Sequence, residues 1–280
     1  MKKFNKVAII GVGLIGGSIG LALKKRGLAR LVVGVGRRRS SLKKAEKRGA
    51  IDWGTLSLES GVRGADLVIL ATPVLKIIDF GKRLPKLVAP GTIITDVGST
   101  KAEVVRILER SLPKGVHFVG GHPMAGSEHR GVEFAQKDLF RGTLTFITKT
   151  KNTNSAALRT ISSLWRTLGA KVEILSPAKH DKIVANISHL VHIAACELVN
   201  SAKGDLKYAS SGFADTTRIA SSDPGLWRDI LLTNKNQIAG SLDKYISSLQ
   251  RIKKAVRRSD AKMIMRDLRA VKEIRDTLKS

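Results

Sequence analysis

The chain reads as an α/β fold, a mostly parallel and doubly wound sheet, followed by an all-α segment. Three observations predict this. Short apolar runs alternate with amphipathic stretches up to about residue 175, the texture of repeated strand–helix units. A glycine-rich turn follows the first apolar run directly and opens the first helical pattern. Beyond Ser176-Pro177 no strand-like run recurs, and apolar residues at three- and four-residue steps dominate to the end.

In chain order, Val7-Ala8-Ile9-Ile10 is a buried strand, and a helix runs on through Ala22-Leu23. Leu31–Val35 is a second strand, and Ser40 is placed to cap the helix after it. Asp66–Leu70 is a third, ending at Ala71-Thr72-Pro73. Thr92–Asp96 and Val116–Val119 supply two more. Thr143–Thr148 and Lys171–Ile174 are the last, separated by a helix from Ser155 to Leu168. The second part reads as one apolar helix over 178–202, short helices over 214–221 and 226–234, and amphipathic helices over 236–256 and 259–278. The expected division is residues 1–175 and 176–280. Two helical hairpins alone bury little, so packing on a second copy is expected.

Of the 280 residues 42% are hydrophobic and 26% charged, the balance of a folded protein. No uncharged apolar run reaches about 18 residues, so no membrane span is expected. The start lacks the apolar region and cleavage site of a secretory signal, and the cytoplasm is the expected compartment. Cys196 is the single cysteine, which excludes an internal disulfide and a multi-cysteine metal site. Its apolar neighbours suggest an inert core thiol, and no metal is expected. Lys plus Arg total 50 against 23 Asp plus Glu, a net charge of +27 spread through the whole chain. Aromatics make up only 4%, which leaves few platforms for stacking bases. The charge therefore reads as solvated helix faces, with no specific nucleic-acid or membrane partner.

Gly11-Val12-Gly13-Leu14-Ile15-Gly16 stands between the first strand and the first helix, the context that gives this glycine spacing its meaning. Gly11 permits the tight turn, Gly13 lets backbone approach a pyrophosphate, and Gly16 lets the helix pack closely on the sheet. Leu14 and Ile15 open the helix and offer free N–H groups to phosphate. Thr72 and Pro73, after the third strand, line the same edge. A Rossmann-type dinucleotide site is expected. The second strand ends at Val35-Gly36 without the carboxylate that usually holds a ribose 2′-hydroxyl, and Arg37-Arg38-Arg39-Ser40 follow. Guanidinium groups there suit a 2′-phosphate, so NADP is favoured over NAD.

Two polar segments follow strands four and five at the edge where doubly wound sheets bind ligands: Asp96–Lys101 and Gly120–Glu128, the latter containing His122, Ser127 and Glu128. His180-Asp181, Ser188-His189 and His192 lie on one helix, and Asp215–Ala220 with Pro224 and Trp227 follow. In this order the segments resemble the prephenate/arogenate dehydrogenase family, over residues 6 to about 234. Val191 stands where that family often has Pro, and Ala214 where it often has a basic or polar residue.

The resemblance implies an α/β nucleotide-binding domain followed by an all-α dimerisation domain, with the active site between them and a homodimer formed through the helical part. It implies oxidative decarboxylation of prephenate, arogenate or both, with hydride transfer to NAD(P). With no room for an appended mutase or regulatory domain after residue 280, a monofunctional chain is expected. The chemistry needs a group to take the substrate hydroxyl proton, and a neutral imidazole suits it; His122 is that candidate. Ser99 would bond the same hydroxyl, or cap the following helix. Arg218 would pair with a substrate carboxylate, where a planar fork outperforms Lys. His192 and His180 would line the substrate pocket and Ser127 would bind substrate; Glu128 would tune substrate choice or bond a loop amide, and Asp215 would position Arg218 or cap its helix. One alternative is another two-domain hydroxy-acid dehydrogenase. It is weakened because such enzymes use a lysine on the inter-domain helix, whose apolar middle here has none. A more remote one is an NADP-sensing binding protein, which would not need His122, Ser99 and Arg218 together.

Overall fold

The computed structural model describes residues 3–126, 129 and 131–278. Strands β1 (Phe4–Ile10), β2 (Ala29–Val35), β3 (Trp53–Thr55), β4 (Leu67–Leu70), β5 (Ile93–Asp96) and β6 (His117–Val119) form an all-parallel sheet in the order β3-β2-β1-β4-β5-β6. The order reverses beside β1, which places a ligand crevice at the carboxyl ends of β1 and β4. Both faces are covered, which is why the strands read as unbroken apolar runs. Along β1, Val7 and Ile9 pack with Ile19, Ala22 and Leu23 of α1 (Leu14–Lys25), whereas Ala8 and Ile10 face the opposite core. That second core holds Val74 and Ile77 of α4 (Val74–Arg83) and Val104 and Leu108 of α5 (Ala102–Ser111). Helices α2 (Arg39–Lys47) and α3 (Leu58–Val62) complete the first half.

The sequence places its last two strands in the same sheet, but the structure gives them a sheet of their own. β7 (Gly121–Pro123) pairs antiparallel with β8 (Leu144–Thr148), and β8 pairs parallel with β9 (Lys171–Leu175). β3 and β7 are too short to announce themselves by periodicity. Trp165 and Ile161 of α6 (Ser155–Thr167) sit on the first core. Between the sheets, Gly120 and Gly121 are needed for space: a Cβ on Gly120 would lie 2.4 Å from Thr148 Oγ1, and one on Gly121 would lie 2.8 Å from the Asp96 carbonyl oxygen.

One helix runs from Pro177 to Ser201, as α7 (Pro177–Val184), a π-helical turn (Ala185–His189) and α8 (Leu190–Ser201). By length and a mean hydropathy of 1.3 it is apolar enough to cross a membrane. Here its inward side carries His180, Asp181, His189 and His192, all buried against other elements, the first three through hydrogen bonds and His192 by stacking on Trp227. α9 (Ser211–Thr217), a 3-10 turn (Arg218–Ser221) and α10 (Pro224–Thr233) follow.

The chain forms two compact units, residues 1–235 and 236–280. Helices 177–233 group with the sheets in the first unit, and Asp181 and Thr233 bond directly to the segment after β5. The second unit is built from α11 (Lys235–Arg257), from residue 236 on, and α12 (Ala261–Asp276), the latter capped by Asp260, with Arg251 paired to Asp267 at 3.4 Å. Leu249, Val256, Leu268, Val271 and Ile274 remain exposed on it.

Candidate active site

The glycine turn has the form a dinucleotide requires. Gly11 sits at φ +96°, and a Cβ there would meet the Ala71 carbonyl oxygen at 2.5 Å. A Cβ on Gly16 would lie 2.1 Å from the Gly11 carbonyl oxygen, so helix and strand approach as closely as backbone allows. A Cβ on Gly13 would meet nothing within 4 Å, so this side of the turn is open, as the approach of a pyrophosphate needs. Leu14 and Ile15 open α1 with no side-chain cap on their amides. Thr72 Oγ1, beside Gly11, is a buried hydroxyl without a partner among the described residues, and Pro73 precedes α4. Arg37, Arg38 and Arg39 are exposed after β2. Ser40, expected to cap α2, lies inside it instead; the cap position is Arg38, which makes no capping bond.

His122 lies on β7 opposite Phe146, so it stands on a strand rather than on the loop the sequence suggests. Asp96, at the end of β5, holds that strand's start. One carboxylate oxygen accepts the Gly121 N–H at 3.1 Å; the other accepts the Gly98 N–H at 2.9 Å and the ammonium of Lys101. Asp96 and Lys101 are both fully buried. Burial pushes the Lys101 ammonium below its ordinary pKa, while the Asp96 charge works in the other direction.

A linear chain of bonds runs behind His122. Its Nδ1 is 2.9 Å from Nε2 of His180, whose Nδ1 is 2.8 Å from Oδ1 of Asp181. Asp181 also accepts the backbone N–H groups of Lys101 at 2.7 Å and Ala102 at 2.8 Å, thereby capping α5 from another element. Ser99, for which capping was an alternative, leaves that role to Asp181 and stays half-buried in the loop between Asp96 and Lys101. His180, expected to touch substrate, is 0% exposed and packs edge-on against Phe146. It lies behind His122 and cannot line a pocket.

Asn234, which the sequence reading does not single out, ties the helical segments together. Its Nδ2 donates to the Asp181 carbonyl at 2.8 Å and lies 3.2 Å from His189 Nδ1. Its partners are 53 and 45 residues away, and no local pattern signals them. His180 and His189 are nine residues apart, roughly opposite faces at about 100° per residue in a regular helix. The π turn between them changes that rotation, and both are buried at 0% and 1% exposure. His189 meets Trp227 edge-on, and His192 stacks on the same indole at 3.6 Å. The Ile219 backbone lies beside His192, which puts Arg218, exposed at the start of its 3-10 turn, next in the chain to this cluster. Asp215 is exposed on α9. Cys196 is half-buried rather than a core thiol, its Sγ 3.5 Å from His192 Nε2. Ser127 and Glu128 lie outside the described residues.

Burial drives His122 well below the ordinary imidazole range, reinforced by His180, Lys101 and His189. Burial lowers His180 too, against the opposing bond to Asp181, and takes His189 down to about 4. These rings therefore enter the folded state neutral. Between the free value of 6.5 and about 4 the unfolded chain binds protons that folded His189 does not. Stability is expected to fall as pH drops through that window, by up to about 1.4 kcal/mol per pH unit for each such ring. Melting curves between pH 7 and pH 5 check this; a melting temperature independent of pH would contradict it.

Residues 19–174 match the model of the prephenate dehydrogenase nucleotide-binding domain, and residues 176–270 match that of the prephenate dehydrogenase dimerization domain. The chain belongs to the prephenate dehydrogenase family. It is 38% identical to a prephenate dehydrogenase of Bacillus subtilis, over 98% of this chain and 76% of that one. A cyclohexadienyl dehydrogenase of Zymomonas mobilis is 30% identical over 100% of this chain and 98% of its own. Among solved structures, prephenate dehydrogenase from A. aeolicus in complex with hydroxyphenyl propionate and NAD+ superposes with a TM-score of 0.93 at 35% identity, covering 98% of both chains.

Proposed function

We propose that this member of the family carries out the oxidative decarboxylation of prephenate, arogenate or both, with His122 taking the substrate hydroxyl proton. The observation that carries the residue assignment is the bond chain behind His122, which engages Nδ1 and leaves Nε2 as the ring atom available to a substrate. The glycine turn, the space at Gly13 and the unpartnered Thr72 hydroxyl fit a dinucleotide, which when bound supplies the hydride acceptor.

As hydride leaves the carbinol carbon, its hydroxyl proton passes to His122 Nε2 and the C–O bond becomes a carbonyl. The ring carboxylate is now placed as in a vinylogous β-keto acid. Its bond to the ring breaks, CO2 departs, and the electron pair runs through the ring to the carbonyl oxygen. That oxygen recovers the proton from His122, so the aromatic phenol forms and the base is reset. The protein's task is alignment and one proton transfer, since rearomatisation drives the remainder. Ser99 orients the hydroxyl, Arg218 pairs with a substrate carboxylate with Asp215 positioning it, and His192 lines the pocket. Ser127 and Glu128 are assigned to substrate selection. Arg218, Asp215 and His192 come from residues 176–280, which also serve dimerisation: the two helices of residues 236–280 leave a row of apolar side chains exposed, and a second copy would cover them. We place the enzyme in the cytoplasm.

NADP is the preferred cofactor in this reading, because β2 ends without a carboxylate and three arginines follow. Rates with two substrates and two cofactors, followed at the reduced-nicotinamide absorbance, test both points. Replacing Arg37, Arg38 and Arg39 by Ala is expected to raise KM for NADP by about 10-fold or more, as charge-assisted bonds are lost, with KM for NAD little changed. Equal effects on both cofactors would remove the assignment.

A further inference from the structure

We propose that His180 and Asp181 are positioning residues that fix His122 as its Nδ1–H tautomer and hold Nε2 toward the substrate. The inference rests on the reading of His122 as the base and assigns the groups that prepare it. An ionised carboxylate only accepts hydrogen bonds, and Asp181 already accepts two backbone N–H groups at the start of α5, where the helix dipole favours negative charge. His180 Nδ1 must therefore donate to it. A neutral ring that donates from Nδ1 presents a lone pair at Nε2, and the partner at 2.9 Å is His122 Nδ1, which must in turn donate. The lone pair of His122 is then at Nε2. Each assignment follows from the one before, and the chain starts at a group without a proton to give.

Without this buttress the ring would divide between two tautomers, and only one can act. The logic is that of a carboxylate behind a catalytic imidazole, extended by one ring. The charged and titratable groups facing the pair are Lys101, Asp96, Asp181 and His189. Lys101 opposes protonation of both rings, whereas Asp181 favours the protonated form of His180, the ring it bonds directly. Phe146 closes the side of His180 against water.

Nitrogen-15 spectra of the imidazoles in the unaltered, full-length protein test the assignment directly. His122 is expected to show a protonated Nδ1 and an unprotonated Nε2 at neutral pH; the reverse pattern overturns the proposal, and this reading requires no variant to fold. His180→Leu removes both bonds and is expected to lower kcat roughly 10- to 100-fold, within the range general-base catalysis supplies, with KM for the cofactor unchanged. His180→Gln keeps a donor for Asp181 and an acceptor for His122, and is expected to recover most of the loss. A folded His180→Leu enzyme with undiminished kcat overturns the proposal while leaving His122 as the base. Full activity in His122→Asn would instead remove the base itself, and the two failures are thereby distinguished.

Discussion

Replacing His122 by Asn is expected to lower kcat/KM by about 10²- to 10⁴-fold, the contribution a positioned general base makes. Asn preserves a donor toward His180 and nearly preserves volume on β7, so the pairing with Phe146 and the fold should persist. The loss should appear mainly in kcat, with cofactor affinity unchanged, because the glycine turn lies on β1 and α1 rather than on β7. The acid limb of the pH–rate profile should vanish with it. In the unaltered enzyme that limb should lie below the ordinary imidazole range, since burial and the neighbouring His180, Lys101 and His189 all disfavour the protonated ring. Activity should therefore hold on the acid side of pH 6.5 until His122 protonates. A variant with an unshifted profile and a kcat within twofold of the parent would show that another group takes the proton.

The second large effect concerns stability. Lys101→Met is expected to destabilise the protein by about 3–5 kcal/mol, the usual consequence of leaving one partner of a buried ion pair uncompensated. Lys101 and Asp96 are both at 0% exposure, and Asp96 keeps only the backbone N–H groups of Gly98 and Gly121 once the ammonium is gone. For a chain of this size the melting temperature should fall by roughly 10 °C. Adding Asp96→Asn should restore part of the loss, because the uncompensated charge leaves with it, and the double-mutant cycle measures the coupling. The substitution also removes a positive charge that holds the His122 proton affinity down, so the acid limb of the profile should move to higher pH. A melting temperature unchanged in Lys101→Met would mean that the pair contributes nothing net. An acid limb moving to lower pH would show that the Lys101 charge does not act on His122 as described.

Several parts of this protein were legible from local pattern. Strands buried on both faces must be apolar at every position, and β1, β2 and β4 announce themselves that way. The spacing of Gly11, Gly13 and Gly16 carries its meaning within six residues, because each glycine answers a contact with its immediate surroundings. The three long helical segments of the second part show in their periodicity. β7 did not, since three residues have no period, and the register that brings His122 opposite Phe146 depends on a strand more than twenty residues later.

Sequence alone determined the α/β-then-α order and the glycine turn, and it singled out His122 as the candidate base. Tertiary structure alone decided what stands behind that imidazole. His180 looked like a pocket residue because its helix carries three histidines, yet the π turn and the capping of α5 by Asp181 turn it inward. Bonds such as Asn234 to Asp181, or His122 to His180, join residues more than fifty positions apart. Their energy depends on distances of about 3 Å that no one-dimensional pattern encodes.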